Sequence, residues 1–275
     1  MKFWGELLNI LDTQMQTPTL YGWFHLLFFA MCIGAGVWLC IKHKDPDEKF
    51  IRKLMLIVFG LSFVLEIYKQ INYTFTYDGL AIAADYQWYA FPFQFCSTPM
   101  YVGLLVACLR KGKLHDALCT YLATYALFAG LCVMIYPGQV FIGTIGINIQ
   151  TMICHGSMVT VGMYLLYSRY VKPEHKTIFK AVPVFACLIV VAMIMNEIAH
   201  ATGLLETETF NMFYISPYCE GTLPVYSLVQ GVVPYPWCTV IYIVMFTLAA
   251  YIMLLLGMLA TKKVRKQEEL CQTAI

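Results

Sequence analysis

The chain has 275 residues, of which 60% are hydrophobic and 12% are charged, and its formal net charge is +2. The charges lie in short clusters between apolar runs of roughly 20 residues, the length that a helix needs to cross about 30 Å of hydrocarbon. This pattern excludes a soluble globular protein. It also gives no reason to expect a nucleic-acid partner, because membrane topology accounts for the basic clusters.

Seven apolar runs follow one another along the chain and predict seven membrane-spanning helices. A segment exposed to lipid has to satisfy its own backbone hydrogen bonds, so each span is expected to be helical. The predicted spans cover residues 20–41, 51–71, 91–109, 114–136, 144–167, 178–200 and 237–260. We therefore predict an all-α, polytopic membrane protein that forms a seven-transmembrane-helix bundle, with residues 1–275 in a single domain.

The basic residues predict the orientation of these spans, because Lys and Arg accumulate on the cytoplasmic side. All of them except Lys2 and Lys69 fall in the first, third and fifth connections or in the C-terminal tail. The N-terminus is therefore expected outside and the C-terminus in the cytoplasm. Ahead of the first span, apolar residues recur at helical spacing between residues 3 and 11, which is typical of an interfacial helix or of a frayed tail.

Two of the outer connections are long and aromatic. Residues 72–90 hold many Tyr, Phe and Trp side chains and no basic residue, and residues 202–236 are rich in Tyr and Pro. Tyr and Trp prefer the headgroup level of a bilayer. The segment 202–236 is therefore predicted to be either a lid over the outer end of the bundle or a plain interfacial loop.

The strongly polar side chains inside the predicted spans all fall in the outer half of the bilayer. An ionisable group in this position costs about 2.5–3.5 kcal/mol and usually faces the bundle interior. Their shared depth therefore predicts one site. These residues are His25, Glu66, Lys69, Gln70, Gln94, Cys96, Ser97, His155, Asn196, Glu197 and His200.

Helical spacing predicts contacts among some of these residues. Glu66 can pair with Lys69, and His200 can pair with Glu197 or Asn196. The alternative for the first pair is a neutralised pair near the interface, where Lys69 reaches water.

Cys96 is distinguished from the other cysteines by its local sequence. Pro92 suits the start of a helix, and Pro99 removes the hydrogen bond to the carbonyl of Phe95. The thiol is thus predicted near a helix N-terminus and unpaired backbone, both of which support a reactive thiolate. A disulfide between Cys219 and Cys238 is left open by the sequence.

A thiol nucleophile needs a base, and His155 is the best candidate. Counted along straight helices, Cys96 lies about 8 Å below its helix start and His155 about 16 Å below its own. The offset would shrink if residues 137–146 dipped into the membrane as irregular structure.

Other classes of function remain open from the residues alone. A transporter or a receptor would also place polar groups in a cavity, although no inverted repeat is evident. A metal hydrolase would use His25, His155 and His200, but these lie on separate helices without a paired ligand motif. A structural membrane protein with satisfied polar contacts is the remaining alternative. The sequence predicts no metal and no cofactor.

The polar residues also carry a resemblance to a known family. The chain resembles the YwaF-like integral membrane proteins in several of its segments. These are the segment from Pro92 to Cys96, the later His155, the early His25, Glu66, and Asn211-Met212-Phe213 followed by Pro217. That bacterial group is similar to a eukaryotic transmembrane acyltransferase that remodels ether phospholipids. The resemblance implies a cysteine that accepts an acyl chain as a thioester and a histidine that assists it. One departure is Gln94, which stands where many members are expected to have His.

Residues and resemblance together predict a membrane-embedded acyltransferase acting on phospholipid acyl chains from the outer leaflet, with a lipid hydrolase as a further alternative. Cys96 is the predicted nucleophile and His155 the predicted base, with Glu66, Asn196 or Glu197 orienting the imidazole. The predicted partners are a phospholipid and the membrane, the oligomeric state is left open, and a multi-pass bacterial cell-membrane protein is expected. The supporting or substrate-binding residues are predicted to be Glu66, Asn196, Glu197, His200, His25, Lys69, Gln94 and Asn211.

Overall fold

The computed structural model describes residues 2–220, 223 and 226–262. Within this part the protein is an all-α polytopic membrane protein with one small β-hairpin. The helices are α1 (Lys2–Leu11), α2 (Trp23–Lys42), α3 (Glu48–Asn72), α4 (Thr98–Cys108), α5 (Lys113–Tyr121), α6 (Leu127–Ile135), α7 (Ile145–Tyr167), α8 (Ile178–Ala201), α9 (Tyr226–Gln230) and α10 (Trp237–Ala260). Lys263, Arg265 and Lys266, which contributed to the predicted orientation, lie outside the described residues.

Five helical segments of the described chain are long and apolar enough to cross a membrane. Two of them extend beyond a single named helix, because a π-helical turn at Leu122–Ala126 joins α5 to α6 and a short turn at His175–Thr177 leads into α8. The five segments are Trp23–Lys42, Lys113–Ile135, Ile145–Tyr167, His175–Ala201 and Trp237–Ala260.

The remaining two predicted spans correspond to α3 and α4, which differ from these five. The helix α3 has 25 residues, about 37 Å by its rise, but it carries charged residues near both ends. The helix α4 has 11 residues and covers only about 16 Å. The count of seven spans therefore stays a prediction.

The third predicted span is wrong at its start, because the helix begins at Thr98 and not at Pro92. Residues 91–97 form turns: the amide of Phe93 bonds the carbonyl of Phe91, and the amides of Ser97 and Thr98 both bond the carbonyl of Gln94. Pro99 lies in the first turn of α4. A backbone N–H at this position would have no partner within the helix, so proline, which has no N–H, is tolerated there. The prolines thus mark a non-helical entry into α4.

The helix α7 lies at the centre of the bundle and packs against α2, α3 and α6. Its contact with α6 depends on Gly130, where an added Cβ would lie 2.8 Å from the carbonyl oxygen of His155. Only a glycine allows this approach of the two backbones. The glycine therefore fixes α6 against α7 at the level of His155.

The two long connections both contain regular structure in their described residues. In the first, β1 (Phe75–Tyr77) pairs antiparallel with β2 (Ile82–Ala84), with Thr76 opposite Ala83, and α1 packs against this hairpin. The N-terminal segment is thus a helix, while its placement at a membrane interface stays a prediction.

The second connection buries several of its residues. It contains short 3-10 turns at Leu204–Glu206 and Met212–Tyr214, followed by α9, and its buried residues include Phe210, Met212 and Phe213. Cys219, in the middle of this connection, and Cys238, in the first turn of α10, are separate free thiols: Cys219 donates to the carbonyl of Phe210, and Cys238 accepts a hydrogen bond from Tyr226. The disulfide that the sequence left open is absent from the described residues.

Candidate functional site

A cavity of about 270 Å³ lies among α3, the segment before α4, α7 and the second long connection. Six residues singled out from the sequence line it together: Glu66, Lys69, Gln94, Cys96, Ser97 and His155. Further polar side chains of its wall are Ser62, Tyr73, Tyr89, Gln139, Gln150, Thr151, Cys154 and Tyr214. Polar residues from separate parts of the chain therefore converge on one space.

Cys96 and His155 are partners in this cavity. The imidazole of His155 lies close enough to the Cys96 thiol for the two side chains to interact. Its Nδ1 lies 2.7 Å from the carbonyl oxygen of Thr151, which can only accept a hydrogen bond, so in the neutral ring Nδ1 carries the proton. The lone pair is then on Nε2, which is the nitrogen able to accept a proton. The backbone of α7 thus sets the tautomer that a general base requires.

Cys96 and His155 line the same cavity despite the depth offset expected from straight helices. A helix advances about 1.5 Å per residue, whereas a non-helical chain can advance up to about 3.3 Å. Residues 91–97 are non-helical, so Cys96 can lie deeper than a helix starting at Pro92 would place it. The helix α7 begins at Ile145, within one residue of the predicted start, so the correction arises on the cysteine side.

The buried carboxylate of Glu66 accepts three hydrogen bonds. Lys69 Nζ donates to Oε1 at 3.1 Å, Gln70 Nε2 donates to the same oxygen at 2.7 Å, and Gln150 Nε2 donates to Oε2 at 3.0 Å. Gln70 in turn accepts a hydrogen bond from the hydroxyl of Tyr86 at 2.6 Å. Glu66 and Lys69 therefore form an ion pair, 3.1 Å between Nζ and Oε1, that is anchored to α7 and to the first long connection.

The second long connection is held by two buried or half-buried amides. Gln94 donates to the carbonyl of Asn211 at 3.1 Å and accepts from the amide of Phe213 at 3.0 Å. Asn196 donates to the carbonyl of Met212 at 3.1 Å and accepts from its amide at 2.8 Å. Within the turn, the side chain of Asn211 accepts from the amide of Ser216 at 2.9 Å. Three residues predicted for the site thus fix one turn.

Asn196 and Asn211 do not line the cavity, and the same is true of Glu197, His200 and His25. The expected pairing of His200 is wrong: its ring stacks on Tyr218 at 3.7 Å, and Glu197 accepts from the Tyr218 hydroxyl at 2.7 Å. His25 has both ring nitrogens occupied, by the amide of Tyr21 at 3.1 Å and the carbonyl of Met134 at 2.8 Å. These side chains satisfy each other or the backbone away from the cavity.

The imidazole of His155 is therefore oriented by a backbone carbonyl, not by Glu66, Asn196 or Glu197. The described residues also hold no group of three His, Cys, Asp or Glu side chains that could bind a metal ion. His25, His155 and His200 accordingly do not converge.

The profile of the TMEM164 family matches residues 17–255, which include every residue of the cavity wall. The chain belongs to the TMEM164 family. It is therefore a multi-pass membrane protein of a eukaryotic family, and the expectation of a bacterial source has no support. The match does not name the YwaF-like group, so the resemblance to that group stays an expectation. No curated protein and no solved structure matches the chain.

Sequence reasoning missed several polar residues of this TMEM164-family cavity. Gln150, Thr151 and Cys154 precede His155 on the cavity side of α7, and a polar Gln inside an apolar run was itself a detectable signal. Tyr214 lies in a long loop, where its approach to Cys96 depends on contacts distant in sequence. Nothing in the local pattern could have identified it.

Proposed function

We propose that this TMEM164-family protein is an acyltransferase that moves a fatty acyl chain between lipids through a thioester on Cys96, with His155 as the base. The observation that carries the proposal is that Cys96 shares a cavity with, and interacts with, an imidazole whose Nδ1 is fixed on the carbonyl of Thr151. The link of the family to ether-lipid acyltransferase activity supports the same chemistry.

The reaction would proceed in two balanced halves. His155 Nε2 takes the thiol proton, the sulfur of Cys96 attacks the ester carbonyl carbon, and a C–S bond replaces the C–O bond of the donor lipid. The departing alkoxide takes the proton back from Nε2. In the second half, Nε2 removes the proton of an acceptor hydroxyl, whose oxygen attacks the thioester and restores the thiol, which recovers the proton.

The ion pair at the cavity wall would supply the charges around this reaction. Lys69 and Glu66 both act on Cys96 electrostatically and with opposite sign. Lys69 favours the thiolate, while Glu66 holds Lys69 in place through the 3.1 Å contact. Neither residue needs to contact the imidazole to support the reaction.

The proposal includes seven membrane spans with the N-terminus outside. In this arrangement α3 is a span whose polar residues face the cavity, and residues 91–97 with α4 form another span whose first part is non-helical, which is tolerated where protein buries it. The basic connections then lie in the cytoplasm. The lipid enters from the outer leaflet beneath the segment 202–236.

The test is the intact mass of the purified chain after incubation in nanodiscs of mixed diacyl phosphatidylcholine and phosphatidylethanolamine. We expect a hydroxylamine-labile acyl adduct that Cys96→Ala abolishes, that His155→Ala strongly reduces, and that an added lysophospholipid discharges. Cys154→Ala is the matched control, because this second thiol of the cavity wall should leave the adduct in place.

Two results would contradict the proposal. A chain that forms no adduct while Cys96→Ala and His155→Ala keep any lipid turnover is not a cysteine acyltransferase, and uptake or binding of a small molecule would then point to a transporter or receptor. Release of free fatty acid without acylation of the lysophospholipid would identify a lipid hydrolase.

A further inference from the structure

Tyr214 lies in the cavity wall because the turn that carries it has an unusual backbone. Phe213 and Tyr214 both have φ of 58°, a conformation that non-glycine residues rarely adopt. Such residues persist only where the surrounding structure holds them, and they concentrate at functional sites. The turn therefore holds Tyr214 in the cavity wall at the expense of an unfavourable backbone conformation.

The surrounding contacts that hold this turn are the amide clamps of Gln94 and Asn196. Together they engage both polar backbone groups of Met212, the carbonyl of Asn211 and the amide of Phe213. All of these contacts lie within three residues of Tyr214. The consequence is that two intramembrane amides fix the phenol in the cavity.

The phenol of Tyr214 is close enough to Cys96 for their charges to interact. Burial, and after it the charge of Cys96, raise the pKa of Tyr214 to about 12. Tyr214 is thus a neutral O–H donor at physiological pH. Its hydroxyl makes no hydrogen bond to another described residue, and neither does the backbone N–H of Cys96. The hydroxyl of Tyr214, which lines the cavity with Cys96, and the backbone N–H of Cys96 are therefore available to bind a ligand oxygen.

We infer that Tyr214 is a catalytic residue that donates its O–H to the oxyanion formed when Cys96 attacks an acyl carbonyl, with the N–H of Cys96 as the second donor. This inference rests on the proposed function. The attack forms the C–S bond and moves the carbonyl π pair onto oxygen, and Tyr214 stabilises that charge while keeping its own proton. Collapse re-forms the C=O bond, breaks the C–O bond of the donor lipid and returns the proton of His155 to the leaving alkoxide.

The test separates acylation of Cys96, which passes through an oxyanion, from alkylation, which does not. Tyr214→Phe should slow formation of the Cys96 acyl adduct by about 10²- to 10³-fold, the usual loss for one oxyanion donor. Alkylation of Cys96 by iodoacetamide should keep the wild-type rate, because that displacement reaction needs only the thiolate. Tyr218→Phe is the matched control, since it removes a hydroxyl of the same connection that bonds Glu197 away from the cavity.

The outcomes distinguish this inference from the proposed function. If the wild-type chain is acylated and Tyr214→Phe is acylated equally fast, Tyr214 is not the donor and the acyltransferase proposal stands. If Tyr214→Phe loses alkylation and acylation together, the hydroxyl supports the thiolate or the fold, and the oxyanion role is wrong. If the wild-type chain forms no acyl adduct, both proposals fail.

Discussion

Asn196 is the polar residue whose replacement tests most directly how the cavity is covered. It is 1% exposed, and its amide is the hydrogen-bond partner of both the carbonyl and the amide of Met212. Asn196→Ala would leave these two buried backbone groups without a partner. Each such group costs about 1–3 kcal/mol, so the turn should lose about 2–6 kcal/mol of local stability.

Amide hydrogen exchange of the purified protein measures this loss where it occurs. A decrease of about 2 kcal/mol corresponds to roughly 30-fold faster exchange, since each 1.4 kcal/mol is about tenfold. We therefore expect the amide of Met212 and its neighbours to exchange at least that much faster in Asn196→Ala, with little change in α2 or α7.

Asn148 offers a matched control on a different loop. It is also buried, and it bonds the amide of Ile142 at 2.9 Å and the carbonyl of Ile142 at 2.8 Å. Asn148→Ala should raise exchange at Ile142 and not at Met212, and Asn196→Ala should do the reverse. If both variants raise exchange everywhere to the same extent, or if Met212 is unaffected in Asn196→Ala, the clamp interpretation is refuted.

Two further predictions concern the packing and charge of the cavity wall. Glu66→Gln leaves Lys69 without its carboxylate and should lower the free energy of unfolding by about 1–3 kcal/mol. Much of this loss should be recovered in the double variant Glu66→Gln/Lys69→Met, and thermal unfolding in detergent measures both variants. A Glu66→Gln variant as stable as wild type would count against a stabilising ion pair. Gly103→Ala places a methyl group against the ring of Phe59 between α3 and α4 and should lower the free energy of unfolding by about 1–3 kcal/mol in the same assay. Gly34→Ala, whose methyl group meets open space, should be neutral or stabilising. Equal effects of the two substitutions would show that close packing at Gly103 is not the cause.

The rule that polar residues in apolar runs mark an interior site identified Glu66, Lys69, Gln94, Cys96 and His155 together. These residues line one cavity, as expected because an unpaired polar group in hydrocarbon is costly wherever it lies. The same rule also selected His25 and Asn196. The free-energy cost of burying these two side chains is offset by their hydrogen bonds to the backbone of Met134 and Met212. Sequence spacing cannot separate a polar group that faces a cavity from one that is satisfied by a distant loop.

The start of α4 and the position of Tyr214 could not be derived for a different reason. Pro92 suits the first turn of a helix, but Pro99 suits it equally well, and only packing against α3 decides between them. Tyr214 reaches the cavity through hydrogen bonds from Gln94 and Asn196, both over ten residues distant along the chain. Contacts of this range leave no periodic pattern.

The position of Gln94 two residues before Cys96 links the cover of the cavity to its thiol. The same short turn segment carries both, and Gln94 is bonded to the backbone of Asn211 and Phe213. The turn and the segment that carries Cys96 are therefore bonded to each other, so a substitution that displaces the turn is expected to disturb the position of the thiol as well.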